Sequence, residues 1–174
     1  AQSCGNGFCI TVEKSFLQSH MIQRMYVYED SRRIDFDMEM DWDQAHQLMK
    51  IAFPIAVHAT EASYDIQFGN IKRPTHRNTS WDQAKFEVCA HKWADLSEDD
   101  YGVSILNDCK YGYSAEENTL YLTALKCATY PNPQADKEHH QFSYAIYTPA
   151  GGSKKASVGK EDGRLCITPP LRRV

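Results

Sequence analysis

The chain has 174 residues, 42% of them hydrophobic, and a formal net charge of −4 with a pI near 6.0. That length suits one compact domain or one large piece of a bigger protein. The mild acidity argues against nucleic acid as the main partner, and no apolar run is long enough to span a membrane.

The start, "AQSCGNGFCITVEK", carries no basic region followed by an apolar stretch, so no signal peptide is expected. Six cysteines, Cys4, Cys9, Cys89, Cys109, Cys127 and Cys166, are scattered without CxxC or other metal spacing. A chain of this size can fold on its core alone, so free thiols in a reducing compartment are expected.

Residues 21–28, "MIQRMYVY", read as a strand. "EDSRR" follows as a turn, and residues 33–42 read as the strand's hairpin partner. In that partner Ile34, Phe36, Met38, Met40 and Trp42 alternate with Asp35, Asp37, Glu39 and Asp41. Period two puts the apolar residues on one face and the carboxylates on the other. Carboxylates along a strand face lie roughly 6–7 Å apart, too far for tight shared ligation of a cation, so a solvated face is expected. Residues 42–52 have the length of a short helix, but the alternation on either side argues against one. "LMKIAFPIAV" contains Pro54, which is incompatible with a central, fully paired strand.

"SYDIQF" alternates again and is expected to end at Gly69-Asn70. The next stretch, "NIKRPTHRNTSWD", is too polar to read as a strand and is expected to form a structured loop. Pro74 forces Arg73 towards extended backbone. Asn78, Thr79 and Ser80 can bond to nearby backbone and hold the loop. Arg73 and Arg77 offer planar forks of donors, and Trp81 offers either a stacking face or a core anchor. "AKFEVCAHKW", "YGVSILN", "NTLYLTAL" and "QFSYAIY" read as further strands, with loops at "DCKYGYSAEEN" and "TYPNPQAD". Cys89 and His91 are spaced for one strand face, and His139 and His140 for opposite faces; neither pair makes a metal site by itself. About eight strands with no long helix predict an all-β fold, an antiparallel β-sandwich over 1–147. Residues 148–174 are rich in glycine, serine and lysine and are expected to form an irregular basic C-terminal arm.

No paired carboxylates, zinc motif, Ser–His–Asp elbow or phosphate-cradling glycine loop can be assigned from spacing. The text "YDIQFGNIKRPTHRNTSWDQAKFEVCAHKWADLSE", followed by "YGVSILNDCKYGY", nevertheless resembles the C-terminal β-region of glycoside hydrolase family 38. These are the retaining α-mannosidases, and the likeness is to the cytosolic and vacuolar type and its bacterial relatives. It runs in order from about Gly7 to Tyr147, including "VYEDSRRIDFDMEMDW" and "TYPNPQADKEHHQFSYAIY".

The resemblance implies a much larger parent enzyme that hydrolyses terminal α-mannosides, with oligosaccharides among its substrates. Its N-terminal α/β domain would hold a divalent metal, zinc or cobalt, together with the nucleophile and the acid/base carboxylate. This chain lacks the family's HxDxxW-type motif, so neither a metal site nor a catalytic residue is expected in it. It also implies a cytoplasmic location and the missing N-terminal catalytic domain as partner. Arg73, His76, Arg77 and Asn78 become candidates for the substrate cleft or the domain interface, with Asn107 and Asp108 as a second candidate loop. After Tyr147 the sequence leaves the family pattern, so an altered C-terminus is expected, with an unfilled sheet edge prone to self-association as a homo-oligomer. A non-catalytic carbohydrate-binding or interaction module is the alternative function.

Overall fold

The structure, a computed structural model, describes residues 1–3 and 5–149. The arm expected at 148–174 therefore falls almost entirely outside the described residues. Those described form antiparallel sheets, as the alternation predicts.

The larger sheet begins with β1 (Gln2–Ser3), β2 (Gly7–Phe16), β3 (Ser19–Tyr28) and β4 (Arg33–Asp41) in spatial order. It continues through β13 (His139–Tyr147), β10 (Gly102–Asn107), β9 (Trp93–Ser97), β6 (Glu61–Ile66) and β7 (Gly69–Pro74). The smaller sheet has the order β5 (Leu48–Pro54), β12 (Thr119–Lys126), β11 (Gly112–Glu116) and β8 (Val88–Cys89). The only helix among the described residues is α1 (Ser80–Ala84).

The hairpin expected over 21–42 forms, its strands spanning Ser19–Tyr28 and Arg33–Asp41, with Met25 opposite Phe36 and Met21 opposite Met40. Phe36, Met38 and Met40 are buried, and their carboxylate neighbours face outward. Each of those carboxylates has a partner. Asp35 pairs with Arg33 at 2.5 Å, Glu39 with Arg24 at 2.8 Å and Asp41 with His139 at 2.8 Å, while Asp37 accepts from Ser143 Oγ at 2.7 Å. The core lies between the sheets. Leu120 and Leu122 of β12 meet Leu96, Ile105, Phe142 and Tyr144 of the larger sheet in one buried cluster. Pro54 ends an edge strand, where its missing donor costs no ladder bond.

Several local expectations are corrected. β2 carries no clean alternation and was not anticipated; it pairs with β3 along its full length. The turn after β6 is Gln67–Phe68, with Phe68 at φ 63°, and Gly69 already belongs to β7. The polar stretch from Asn70 thus starts as a strand, with Arg73 opposite Ala62. "AKFEVCAHKW" is not one strand: α1 ends at Ala84, β8 takes only Val88–Cys89, and β9 starts at Trp93. His91 lies beyond β8, its ring edge-on to Tyr111 at 5.9 Å. The expected loop at 108–118 contains β11, which pairs with β12. Over 42–52 no helix forms, in keeping with the alternation on either side. No helix among the described residues is long and apolar enough to cross a membrane.

Candidate functional site

The β6–β7 hairpin carries Arg73 on the face that holds buried Ala62 and Tyr64. The Arg73 guanidinium carbon lies 4.8 Å from the Tyr64 ring centre. Burial pushes the Tyr64 phenol up to about 12, against the lowering pull of Arg73 and with a smaller upward push from Glu87.

Thr75, buried just after β7, fixes the path of the chain. Its N–H donates to Thr60 O at 3.0 Å, its hydroxyl donates to Ala59 O at 2.7 Å, and its carbonyl accepts from Glu117 N–H at 2.9 Å. His76, Arg77 and Asn78 follow on the surface. Thr79 then caps α1 in a capping box with Asp82: Asp82 N–H donates to Thr79 Oγ1 at 3.1 Å, and Thr79 N–H donates to the Asp82 carboxylate at 3.2 Å. The Thr79 hydroxyl bond holds the Asp82 carboxyl below its ordinary range, with help from His76 at 3.7 Å. Arg77 reaches Glu116 of β11 at 3.2 Å. Trp81 is 78% exposed and so is no core anchor.

These elements enclose a small cavity at the rim where the two sheets meet. Tyr64, Arg73, His76, Arg77, Lys85 and Ser114 line it, among others. It measures about 20 Å³, enough for a water-sized group, and is partly open to solvent.

The second candidate loop is built differently. Asn107 is buried, and its side chain is spent locally. It donates to His91 O at 3.0 Å and to the Tyr113 hydroxyl, and accepts from Lys110 N–H at 2.5 Å. Asp108 is exposed and bonded to β13, accepting from Ser143 N–H at 3.0 Å. Asn107 stands by the Tyr113 end of β11 and Arg77 by its Glu116 end. With ~3.3 Å of rise per residue, the two loops are separated by roughly the strand's length. The structure therefore brings Arg73, His76 and Arg77 together, leaves Asn78 beside them on the surface, and sets Asn107 and Asp108 apart.

Tyr64, Lys85 and Ser114 were not foreseen at this site. Tyr64 reads as an ordinary core position, Lys85 directly follows α1, and Ser114 arrives from β11. The helix start was legible as Thr79-x-x-Asp82 before an alternation break. Among the described residues, no three His, Cys, Asp or Glu side chains converge to hold a metal ion.

Residues 7–134 match the family described as "Glycosyl hydrolases family 38 C-terminal domain". The chain belongs to glycosyl hydrolase family 38. The match takes in every strand of the family 38 domain described above from β2 to β12. "Alpha-mannosidase G" of Dictyostelium discoideum is 48% identical over 139 residues, covering 80% of this chain and 13% of that protein. "Alpha-mannosidase" of Saccharomyces cerevisiae is 49% identical over 118 residues, covering 68% of the chain and 11% of that protein. "Alpha-mannosidase 2C1" of Homo sapiens is 46% identical over 125 residues, covering 72% and 12%. The chain thus spans only 11–13% of the length of these relatives. Among solved structures, an alpha-mannosidase from Enterococcus faecalis V583 superposes with a TM-score of 0.75 at 13% identity, over 83% of this chain and 17% of that one. That likeness shows the fold: the two-sheet arrangement of this family 38 domain recurs inside a much longer chain.

Proposed function

We propose that the chain, as a β-sandwich domain over 1–147, serves a retaining α-mannosidase that hydrolyses terminal α-mannosides, giving it scaffold and one wall of the substrate cleft. The match over residues 7–134 carries this reading, together with relatives at 46–49% identity that are all named α-mannosidases. Retention needs two carboxylates held about 5 Å apart, one as nucleophile and one as acid/base. In this reading they belong to the N-terminal catalytic domain, as does the divalent metal, zinc or cobalt, which when bound organises the sugar hydroxyls. The contribution of these residues is positional. Arg73, His76, Arg77 and Asn78 present donors at the cleft or domain interface, held by Thr75 and the Thr79–Asp82 box. Asp108 and Asn107 shape a second loop. The reading includes a cytoplasmic setting, supported by free Cys9, Cys89, Cys109 and Cys127 among the described residues.

Two measurements test it. The isolated chain with zinc or cobalt is expected to leave an aryl α-mannoside intact; turnover that tracks the purified protein would overturn the scaffold role. In a longer protein carrying the segment, Arg73→Ala is expected to reduce turnover at unchanged thermal stability. Loss of stability with turnover per folded molecule retained would make Arg73 a structural group only.

A further inference from the structure

The two sheets differ in width: the larger has nine strands and the smaller four. Ring contacts fix how they overlap. Phe53 of β5 meets Phe36 of β4 and Tyr144 of β13, and Tyr113 of β11 meets Tyr64 of β6. The smaller sheet therefore covers the larger one from β4 to β6, and β3, β2 and β1 run out beyond β5.

The overhanging strands carry an apolar floor. Residues directly opposite in an antiparallel ladder point to the same side. Ile10 stands opposite Met25, and Met25 opposite buried Phe36, so Ile10 continues the core face. Phe8, opposite Val27, and Val12, opposite Gln23, share that side. Phe16 joins the row beyond Lys14, its ring stacked on Trp42 at 5.8 Å. Met21 and Met25 still pack against the core, whereas Phe8 and Phe16 are 44% and 42% exposed.

Beside this floor β5 has an open edge. It pairs with β12 on one side and with no strand among the described residues on the other. Ile55 N–H donates to Asn118 O, so alternation along the ladder turns the N–H groups of Lys50 and Ala52 to the open side. A lysine can guard such an edge, but Lys50 is held by Glu87 and by Ser114 Oγ at 2.9 Å, over the smaller sheet. Neighbouring strands lie about 4.8 Å apart and facing sheets about 10 Å, so one strand added to β5 would lie over β3 and β2. It would pair the open backbone groups and cover the floor at once.

We propose that this slot receives a β-strand from elsewhere in a longer polypeptide, bonded to β5 and with alternate apolar side chains turned to Ile10 and Val12. The relatives have length enough to supply it, since this chain spans only 11–13% of them. A second copy does not fit the slot. Antiparallel pairing of β5 with its own copy keeps both larger sheets on one side, so the overhang of each would run into β4 of the other. The source of the strand rests on the reading of this domain as part of a longer α-mannosidase; the slot itself does not.

Hydrogen exchange in a longer protein carrying the segment tests the proposal. The amides of Lys50 and Ala52 are expected to exchange as slowly as those of Ile51 and Phe53, on the order of a hundredfold or more below the rate of an open edge. Fast exchange at Lys50 and Ala52 beside slow exchange at Ile51 and Phe53 would overturn it, and that pattern decides even where this chain alone does not fold. In this chain alone the same two amides should exchange fast. Protection there that fades on dilution, with a dimer in sedimentation, would assign the slot to a second copy and overturn the proposal. Val12→Asp should lower Tm more in the longer protein than in this chain; equal shifts would also overturn it. A longer protein with protected Lys50 and Ala52 that leaves an aryl α-mannoside intact would keep the slot and sink the enzyme reading.

Discussion

The rings of Phe36 on β4 and Tyr144 on β13 stack across neighbouring strands, with centres 4.8 Å apart and planes 6° from parallel. Phe53 of the smaller sheet meets both edge-on at 6.1 Å. This trio ties the two sheets at one point. Phe36→Ala should therefore cost about 3–5 kcal/mol in urea unfolding, the range for a large cavity in a packed core. A loss under about 1 kcal/mol would mean that the two sheets do not pack at this trio.

Asn107→Ala separates two roles for that residue. The substitution strands the N–H of Lys110 and removes one of two donors to the His91 carbonyl, which keeps the Tyr113 hydroxyl at 3.3 Å. A loss of about 1–3 kcal/mol is expected, with faster hydrogen exchange at Lys110. Unchanged stability with reduced sugar turnover in a longer protein would show instead that Asn107 reaches outward.

Asp82 gives the loop an acid limit. Its folded pKa is depressed, chiefly by the Thr79 hydroxyl, from an ordinary value of 3.8. The stability it contributes is thus fully present above that value and is lost as pH falls through the lower folded one. Fluorescence of exposed Trp81, on the same helix, should report an acid transition that Asp82→Asn removes. An identical titration in the variant would show that the cap does not hold the helix.

Thiol reactivity should follow burial and charge. Cys109 is pushed up to about 11, first by burial and then by Asp108. Cys127 is raised by burial and lies in the core. Both Cys89 and Cys109 are exposed, so at pH 8 an alkylating reagent should reach both, with Cys109 the slower because less of it is thiolate. Cys127 should react only on unfolding. Equal rates at Cys89 and Cys109 would contradict this environment.

Legibility followed how local each signal was. The Phe36-Met38-Met40 face and the outward carboxylates of β4 follow from side-chain direction alone, which alternates along any strand. Pro54 at an edge follows from a donor that proline lacks. β2 and β7 were illegible because their side chains are mixed or polar and their ladder bonds come from β3 and β6. β11 was hidden by the turn-forming residues around it and owes its strand to β12 and β8.

At the candidate site the same division holds. Sequence by itself determined the family, the all-β class, and a polar stretch at 70–82 with Asn78, Thr79 and Ser80 able to bond to nearby backbone. Tertiary structure alone decided that Arg73 points inward over Tyr64, that Lys85 and Ser114 complete its cavity, and that Asn107 is consumed inside a corner. Those outcomes depend on which strands meet, and strand pairing joins residues far apart in the chain through backbone groups that every residue shares.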